Sequence, residues 1–412
     1  MTETAAAAPR DARLPTLFIV LTVVLEAMGI GLILPVMPDL LREVRGAGLG
    51  EAARLGGMLA AAYALMQFLF SPTIGNVSDR FGRRPVLLLS LAVMFVDYVV
   101  MALAQTFWLL LVGRIVAGIA AATMSVALAF MADVSPPEKK AQNFGLVSAG
   151  FGLGFVLGPA LGGLLAEFGP RAPFWAAAAL AGANLAFGAL VLPETLRRAR
   201  PFSWRRANPL GGLIAIRALP GLGALLAVWF FYQVANNVYP VLWAYFTQAS
   251  FGWDALMVGV SLAVYGVSMV VVQGGLIRVI LPRLGERRTL AWFLPYNAVI
   301  LVLVALVPSG WLLLALTPLS ALGAVVAPAL QGLASRIADD DQQGELQGVL
   351  ASITAVAAIV SPGLMTTVFE RATAGGGGMP GAPFLLASGL MAVSWLLYRR
   401  SGGASPARRD AA

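Results

Sequence analysis

Long apolar stretches recur along the whole chain, and they restrict its fold more than any other feature. A helix needs about 20 apolar residues to cross a bilayer. Only 12% of the 412 residues are charged, whereas a soluble domain carries about 25%, so lipid is the implied solvent. The sequence therefore predicts an all-α integral membrane protein with twelve spans. The predicted spans are Leu14–Val36, Gly56–Ile74, Pro85–Ala104, Phe107–Met131, Asn143–Ala166, Pro173–Leu192, Leu219–Tyr245, Ala255–Leu281, Leu290–Val307, Trp311–Leu333, Leu346–Phe369 and Pro383–Tyr398.

Arginine and lysine residues are distributed unevenly between the predicted loops. With both termini placed in the cytoplasm, 22 of the 28 lie in cytoplasmic segments, five lie in outer loops and Arg114 lies inside a span. Cytoplasmic loops of membrane proteins carry such an excess, so topology rather than nucleic-acid binding explains the net charge of +8. Because Met1 to Arg13 is polar and the next apolar run is long and contains an acid, we expect no cleavable signal peptide.

The longest polar connection, Pro193 to Arg217, carries six arginines and divides the spans into two groups of six. A repeat supports this division, because the arginine–glycine–arginine spacing of residues 80, 82 and 84 recurs 203 residues later. Two parallel six-helix halves with a substrate site between them are a known transporter plan. We therefore expect a first half at residues 1–192, a cytoplasmic basic linker at 193–218, a second half at 219–400 and a disordered cytoplasmic tail at 401–412.

The loop after the second span reads GNVSDRFGRRP. An acid, two glycines and a basic cluster occur together there, and this combination resembles the loop signature of the major facilitator superfamily. The resemblance implies a conformational latch between the two halves. We expect Asp79 to lie against the N-terminal end of the eleventh span near Leu346, where the helix dipole favours an anion. The predicted latch residues are Gly75, Asp79, Arg80, Gly82, Arg83 and Arg84.

The fifth span contains the sequence GFVLGPALGG. Gly154, Gly158 and Gly162 lie on one helix face because they recur every four residues, and a glycine face lets another helix approach closely. Pro159 bends the helix. The complete pattern resembles that of exporters and antiporters in the superfamily rather than that of uptake symporters. Further strings in both halves, among them AYALMQF, FGWDALMVGVSLA and QQGELQG, resemble the tetracycline efflux proteins, a group of twelve-helix drug:proton antiporters.

Three charges, Glu26, Asp97 and Arg114, lie deep in the predicted spans. Each costs about 2.5–3.5 kcal/mol on insertion scales and is a functional hypothesis by default. At ~1.5 Å per residue, both acids lie roughly 18 Å from the cytoplasmic ends of their helices, and Arg114 lies roughly 11 Å from the outer end of its own. We predict that the three couple transport to protons, as the resemblance also implies. The alternative is a static Asp97–Arg114 bridge that only holds the first half together.

The second half has no charge at comparable depth, and it offers polar and aromatic side chains that suit a planar amphipathic ligand. In the resemblance, Gln67 and Gln273 correspond to glutamines linked to drug binding. Met269 and Asn297 stand where tetracycline exporters often have a histidine and an aspartate, so the acids of the first half must handle the protons. The predicted substrate-binding residues are Gln67, Gln233, Asn236, Asn237, Tyr265, Gln273, Tyr296, Asn297 and Gln331.

Together these features predict a secondary active exporter that exchanges a small amphipathic drug, tetracycline-like or more varied, for protons by alternating access. We expect it in the bacterial inner membrane, functional as a monomer, with drug, protons and lipid as partners and no nucleic acid. The chain has neither cysteine nor histidine, so we expect no metal, no cofactor and no enzymatic activity. A proton-coupled uptake symporter of a small metabolite and a non-transporting membrane protein are the open alternatives.

Overall fold

The structure is a computed structural model that describes residues 13–121, 123–196, 201–204, 207–219, 221–339, 342–374 and 378–401. These residues are almost entirely helical, and no strand occurs among them. Eleven helical runs in this part of the chain are long and apolar enough to cross a membrane. One of them, Ala255–Leu306, has 52 residues. It would measure roughly 78 Å as a straight helix, which is enough for two crossings of a ~30 Å hydrocarbon core.

Gly285 divides this long run into two spans. Its φ of 70° and ψ of 162° are not helical, and glycine adopts a positive φ at little steric cost. Gly82, which follows the second span, has a φ of 112° and a ψ of 153°. The two glycines that the sequence repeat aligns therefore make the same kind of turn. Twelve spans result, and the predicted loop between Leu281 and Leu290 is a sharp turn within helix.

We number the spans α1 to α12. Most are longer than predicted, because helical backbone continues into the loops on either side. α2, for example, begins at Leu49 rather than Gly56 and includes most of the predicted loop that follows it. The spans are α1 Arg13–Ile33, α2 Leu49–Phe81, α3 Arg83–Leu103, α4 Phe107–Val134, α5 Lys140–Leu165, α6 Ala172–Val191, α7 Gly223–Phe251, α8 255–284, α9 286–306, α10 Gly310–Ile337, α11 Gln343–Thr373 and α12 Ala382–Arg400.

A short helix that was not predicted from the sequence, Met37–Arg45, follows α1. Pro38 occupies its first turn, where the missing N–H costs nothing, and Asp39 in the first turn and two arginines in the last complement the helix dipole. Gly46 ends the helix in the left-handed conformation with a φ of 63°. Two adjacent leucines of this helix are buried, so the segment packs onto the bundle instead of forming a solvated loop.

The spans pack in the same pattern in both halves. In the first half α1 packs against α5 and α6, α2 against α4, and α3 against α6. In the second half α7 packs against α11 and α12, α8 against α10, and α9 against α12. Each pair in the second half is the corresponding first-half pair six spans later. The halves meet through α2 with α11 and α5 with α8, so the fold is two pseudo-symmetric six-helix halves.

Large apolar side chains cover the outside of the bundle. Val96, Val112 and Val299 are each more than half exposed. Each of them lies within a long apolar helix. A soluble protein rarely exposes contiguous apolar surface on this scale. The exposed valines therefore agree with a lipid-facing perimeter.

The halves contact each other at the end of the bundle that carries Met37–Arg45, which we call the distal end. Between α2 and α11, Arg54 Nε lies 3.0 Å from Glu370 Oε1. Gln248 of α7 donates a hydrogen bond of 3.3 Å to the carboxylate of Asp39. Burial in this contact raises the pKa of Asp39, although the Arg42 guanidinium and the Gln248 amide oppose the shift. Polar contacts from two different elements thus close the distal end.

The opposite end of the bundle carries residues 75–85, and we call it the basic end. A Cβ atom added at Gly56, near the distal end, would collide with the Tyr245 hydroxyl of the other half. A Cβ atom added at Gly75, Gly145 or Gly274 would meet no described atom within 4 Å. The halves are thus in tight contact at Gly56, and the space beside Gly75, Gly145 and Gly274 is open.

Candidate functional site

A cavity of about 360 Å³ lies between the two halves. Its volume is within the range of small-molecule sites, about 300–1,000 Å³. The first half contributes side chains from α1, α2, α3 and α4, and the second half contributes side chains from α7, α8 and α11. Aromatic and polar groups line it alongside small apolar residues. They include Glu26, Tyr63, Gln67, Asp97, Tyr98, Arg114, Asn237, Tyr239, Trp243 and Tyr245.

Asp97 of α3 and Arg114 of α4 form an ion pair in the cavity wall. The Asp97 side chain is only 4% exposed, and its Oδ1 packs against α4 at Gly113, where a Cβ atom would come within 2.9 Å. The glycine before Arg114 therefore allows α3 and α4 to approach closely enough for the pair to form. A buried pair of this kind is strongly destabilised when one partner is removed.

Glu26 of α1 lines the same cavity without such a partner. Its Oε2 is buried and makes no hydrogen bond to any described residue. A buried carboxylate without a partner is expensive, so the group must bind a proton, a cation or water to be stable there. The two acids at this level of the bundle therefore have opposite surroundings, one of them neutralised by arginine and the other available.

Two tyrosines that were not predicted from the sequence, Tyr63 and Tyr98, line the cavity together with these charges. The Tyr63 ring of α2 has its centroid 5.5 Å from Cζ of Arg114, a cation–π contact. The Tyr98 hydroxyl of α3 presses against Gly29 of α1, where no Cβ atom would fit. Helical spacing is the signal that would have revealed Tyr63, because it lies four residues before Gln67 and shares its face.

Gln67 and Asn237, both predicted to bind substrate, lie in the cavity wall. Each is next to a point where a membrane helix is interrupted. The Gln67 amide donates a hydrogen bond of 3.0 Å to the carbonyl of Ala121, at the interruption in α4. The Asn237 amide donates one of 2.9 Å to the Gln233 carbonyl, at the junction between the two segments of α7. Both amide groups donate to backbone carbonyls at the ends of helical segments, and both residues line the cavity.

The other predicted substrate residues are not part of the described cavity wall. Gln233 donates a hydrogen bond of 3.2 Å to the Thr354 hydroxyl. Tyr265 stacks on Tyr239, a lining residue, at 6.2 Å between ring centroids. The hydroxyl of Tyr296 donates to the Leu319 carbonyl at 2.8 Å. The remaining residues of the set lie elsewhere on α7, α8, α9 and α10: Asn236, Gln273, Asn297 and Gln331.

Asn297 has a structural partner at its position. Its amide donates a hydrogen bond of 3.2 Å to the carbonyl of Gly323, where α10 changes into a short 3-10 segment. A Cβ atom at Gly323 would collide with the same amide group. An aspartate carboxylate could not donate this bond, so the asparagine found here joins α9 to α10 in a way that an acid would not.

Three of the predicted latch residues, Asp79, Arg83 and Arg84, take part in one network at the basic end. Asp79 Oδ1 lies 2.6 Å from a guanidinium nitrogen of Arg83, and Arg83 Nε lies 3.4 Å from Asp133 of α4. The Glu194 carboxylate accepts hydrogen bonds from the backbone N–H groups of Arg83 and Arg84. These contacts tie the start of α3 to the end of α4 and to the start of the linker. The contact of Asp79 with α11 remains a prediction.

The glycine face of α5 packs against α1 within the first half. Cβ atoms at Gly154, Gly158 and Gly162 would collide with backbone atoms of α1 between Val24 and Leu32. A different face of the same helix meets the second half, where Gly163 and Gly259 allow α5 and α8 to cross closely. α5 is therefore fixed to the helix that carries Glu26 while it also contacts the other half.

Comparison with known proteins decides the family. Residues 19–362 match the family described as Major Facilitator Superfamily. The chain belongs to the major facilitator superfamily. A tetracycline resistance protein of class C from Escherichia coli is 42% identical to it over 84% of this chain and 88% of the relative. The quinolone resistance protein NorA from Staphylococcus aureus (strain MRSA252) is 27% identical over 83% of this chain and 87% of NorA.

A solved structure supports the major facilitator fold independently of sequence. The crystal structure of a bacterial homolog to the human lysosomal transporter Spinster, in an inward-facing and occupied conformation, has a TM-score of 0.78 and covers 95% of this chain and 96% of that chain. Its identity to this chain is 16%, so the likeness concerns the fold alone. The two six-helix halves described above are the halves of this fold.

Proposed function

We propose that the protein is a secondary active exporter that exchanges a small amphipathic drug for protons by alternating access. The observation that carries the proposal is the cavity between the halves, which contains an unpartnered carboxylate, Glu26, beside the Asp97–Arg114 pair. Curated relatives named for resistance to tetracycline and to quinolones support drug efflux as the activity. Tetracycline-like molecules, or a wider range of amphipathic drugs, are the proposed substrates.

The sidedness of the bundle is part of this proposal. The basic end, with Arg80, Arg83 and Arg84, lies in the cytoplasm together with both termini, because cytoplasmic loops of membrane proteins carry an excess of arginine and lysine. The protein resides in the bacterial inner membrane and works as a monomer. The first half ends near residue 192 and the second half begins near residue 219, with the linker between them. Residues 1–12 and 402–412, which include most of the predicted tail, lie outside the described part of the chain.

Protons drive the exchange through the acids of the first half. Glu26 binds a proton when the cavity faces the outside and releases it when the cavity faces the cytoplasm, while Asp97 and Arg114 form the charged wall beside it. Proton entry is favoured by the membrane potential, which contributes about 2.3 kcal/mol per charge per 100 mV. Drug binds when the acid is deprotonated, so one ligand replaces the other and exchange results.

The cavity wall suits a planar, amphipathic substrate. Tyr239, Trp243 and Tyr245 supply flat aromatic surfaces from the second half, and such surfaces pack well against ring systems. Gln67 and Asn237 supply amide groups for hydrogen bonds at the edge of the same space. We place the first contacts with drug on these residues. Gln233 and Tyr265 support them from behind.

Two motifs outside the cavity serve the conformational cycle in this proposal. Asp79 and its neighbours latch the basic end when it closes, by approaching the N-terminal end of α11. The glycine face around Gly158 keeps α5 fixed to α1, so that the two helices move as one body. A proton bound on α1 then acts directly on the helix that meets α8 of the other half.

Transport across a pH step in proteoliposomes tests the coupling residues. We expect Asp97→Asn and Glu26→Gln each to lose uphill, pH-driven drug transport. Glu138→Gln, which changes an exposed acid at the basic end, is the matched control and should keep it. If both cavity variants retain full uphill transport, the assignment of the proton sites is wrong.

The direction of flux separates export from the alternative of metabolite uptake. In inverted vesicles an exporter accumulates drug when the interior is acidified. Accumulation of a sugar or other metabolite under the opposite gradient would favour an uptake symporter, and no flux of any substrate would favour a non-transporting protein. A susceptibility panel in a host that lacks its own pumps, with tetracyclines beside unrelated amphipathic cations, identifies the substrate class.

A further inference from the structure

The two cavity acids differ in their access to Arg114, although all three groups line one cavity. Asp97 is paired with the guanidinium, whereas Glu26 Oε2 has no hydrogen-bond partner in the described part of the chain. An arginine side chain is long and has five N–H donors, so it is capable of bridging two carboxylates. In the structure the guanidinium lies on Asp97 and makes no hydrogen bond to Glu26 Oε2.

Tyr63 is in a position to hold the guanidinium there. Its ring lies 5.5 Å from Cζ of Arg114, within the range of an attractive cation–π contact. Its side chain lines the same cavity as Glu26 and Asp97. Tyr63 thus touches the cation and shares the cavity wall with the free acid.

The backbone of Tyr63 is fixed by a close helix crossing. A Cβ atom added at Gly118 of α4 would lie 2.6 Å from the Tyr63 carbonyl oxygen, so α2 and α4 touch through their backbones at this point. Gly118 is four residues after Arg114 and lies on the same face of α4. The crossing that requires this glycine therefore also sets the tyrosine ring against the guanidinium.

Resting on the proposed exchange of drug for protons, we propose that Tyr63 is a positioning residue that keeps Arg114 on Asp97 and leaves Glu26 free to bind and release a proton. Without the ring, the guanidinium turns towards Glu26, and a nearby cation favours the charged form of a carboxyl group. Glu26 then releases its proton at a lower pH and reloads poorly, which uncouples transport from the gradient.

Other ionisable groups around Glu26 do not duplicate this role. α5 and α6 also pack against α1, but residues 141–165 and 172–191 contain no ionisable side chain. α7 contributes two phenols to the cavity, which carry no charge to compete with a guanidinium. The ionisable side chains that share the cavity wall with Glu26 are Tyr63, Asp97, Tyr98, Arg114, Tyr239 and Tyr245.

The test follows protonation of Glu26 directly in the reconstituted full chain. The infrared carbonyl band of its protonated carboxyl group, identified by its loss in Glu26→Gln, is titrated with pH. Tyr63→Phe keeps the ring, and we expect it to titrate like the wild type. Tyr63→Leu removes the ring, and we expect its midpoint to fall by about one to three pH units, with the pH profile of efflux shifting in the same direction. If Tyr63→Leu does not fold, Tyr63→Met replaces it with the same expected shift.

Tyr98→Leu is the matched control, because it removes the same volume from the wall beside Glu26 while the Tyr63 ring stays on Arg114. Equal downward shifts in the two leucine variants would mean that lost volume or added water is the cause, and would overturn the proposal. An unchanged midpoint in Tyr63→Leu would overturn it as well. A wild-type protein that expels no drug would refute the proposed function instead, and the infrared titration would still decide the role of Tyr63.

Discussion

The hydroxyl of Tyr245 gives a test of how the distal end is held closed. This residue is 4% exposed, and its hydroxyl makes no hydrogen bond to any described residue while it presses against Gly56 of the other half. Buried polar groups without partners are rare and costly. The closed distal end therefore contains an unfavourable contact that opening would relieve, because water reaches the hydroxyl when the halves separate.

Removing this hydroxyl should favour closure. A buried donor without a partner costs about 1–3 kcal/mol, and a free-energy difference of that size changes an equilibrium by about 5–150-fold. We expect Tyr245→Phe to lower the population of the distally open state by a factor in this range. The substitution keeps the ring, which packs against Phe369 with 6.5 Å between centroids, so the surrounding packing should survive.

The assay uses the absence of cysteine from the native sequence. Thr366→Cys places a single thiol on α11 where that helix meets Gly57, a site 1% exposed while the distal end is closed. Its labelling rate by an impermeant maleimide reports distal opening, and we expect Tyr245→Phe to slow it about 5–150-fold. Tyr398→Phe, whose hydroxyl has a partner at 2.9 Å, is the control. Equal or faster labelling in Tyr245→Phe would refute the reasoning.

Three further predictions follow from the helix contacts. In the double variant Gly50→Cys with Thr373→Cys, oxidation should form a disulfide that stops transport until it is reduced. An added Cβ at residue 50 lies 2.8 Å from the Thr373 Oγ1, which is close to disulfide geometry. Continued transport after verified cross-linking would contradict distal opening. Asp97→Asn should lower the free energy of unfolding by about 3–5 kcal/mol, since Arg114 is left buried without its partner; a melting temperature equal to that of the wild type would argue against a buried pair. Gly158→Ala should reduce thermal stability and efflux together, because its Cβ would come 2.5 Å from the Met28 carbonyl and force α1 and α5 apart; an unperturbed melting curve would show that the helices relax.

The large features of the fold could be predicted because they depend on local, one-dimensional properties of the chain. A stretch of apolar residues long enough to cross a bilayer is visible without any partner, and so is the repeat that aligns Gly82 with Gly285. The boundaries were less accurate, since helices continue into polar loops wherever capping and packing allow. The helix Met37–Arg45 was missed because nine residues are too few to register as a span.

The candidate site could be predicted only in part, for a related reason. Rare charges in apolar helices are conspicuous, so Glu26, Asp97 and Arg114 were selected from the sequence, and all three line the cavity. Polar and aromatic residues are common in membrane helices and carry no such signal. Of the nine predicted substrate residues, Gln67 and Asn237 reach the cavity wall, and Tyr63 was not among the nine.

The sequence alone therefore determined that this protein lies in a lipid bilayer. It also determined the number of its spans, its internal repeat and the identity of its buried charges. Only the tertiary structure decided which acid pairs with Arg114, which one remains free, and that the glycine face of α5 packs against α1. These outcomes depend on distances of a few ångströms between helices far apart in the chain. Hydrophobic length specifies that a helix crosses the membrane, whereas the fit of side chains between helices decides what that helix faces.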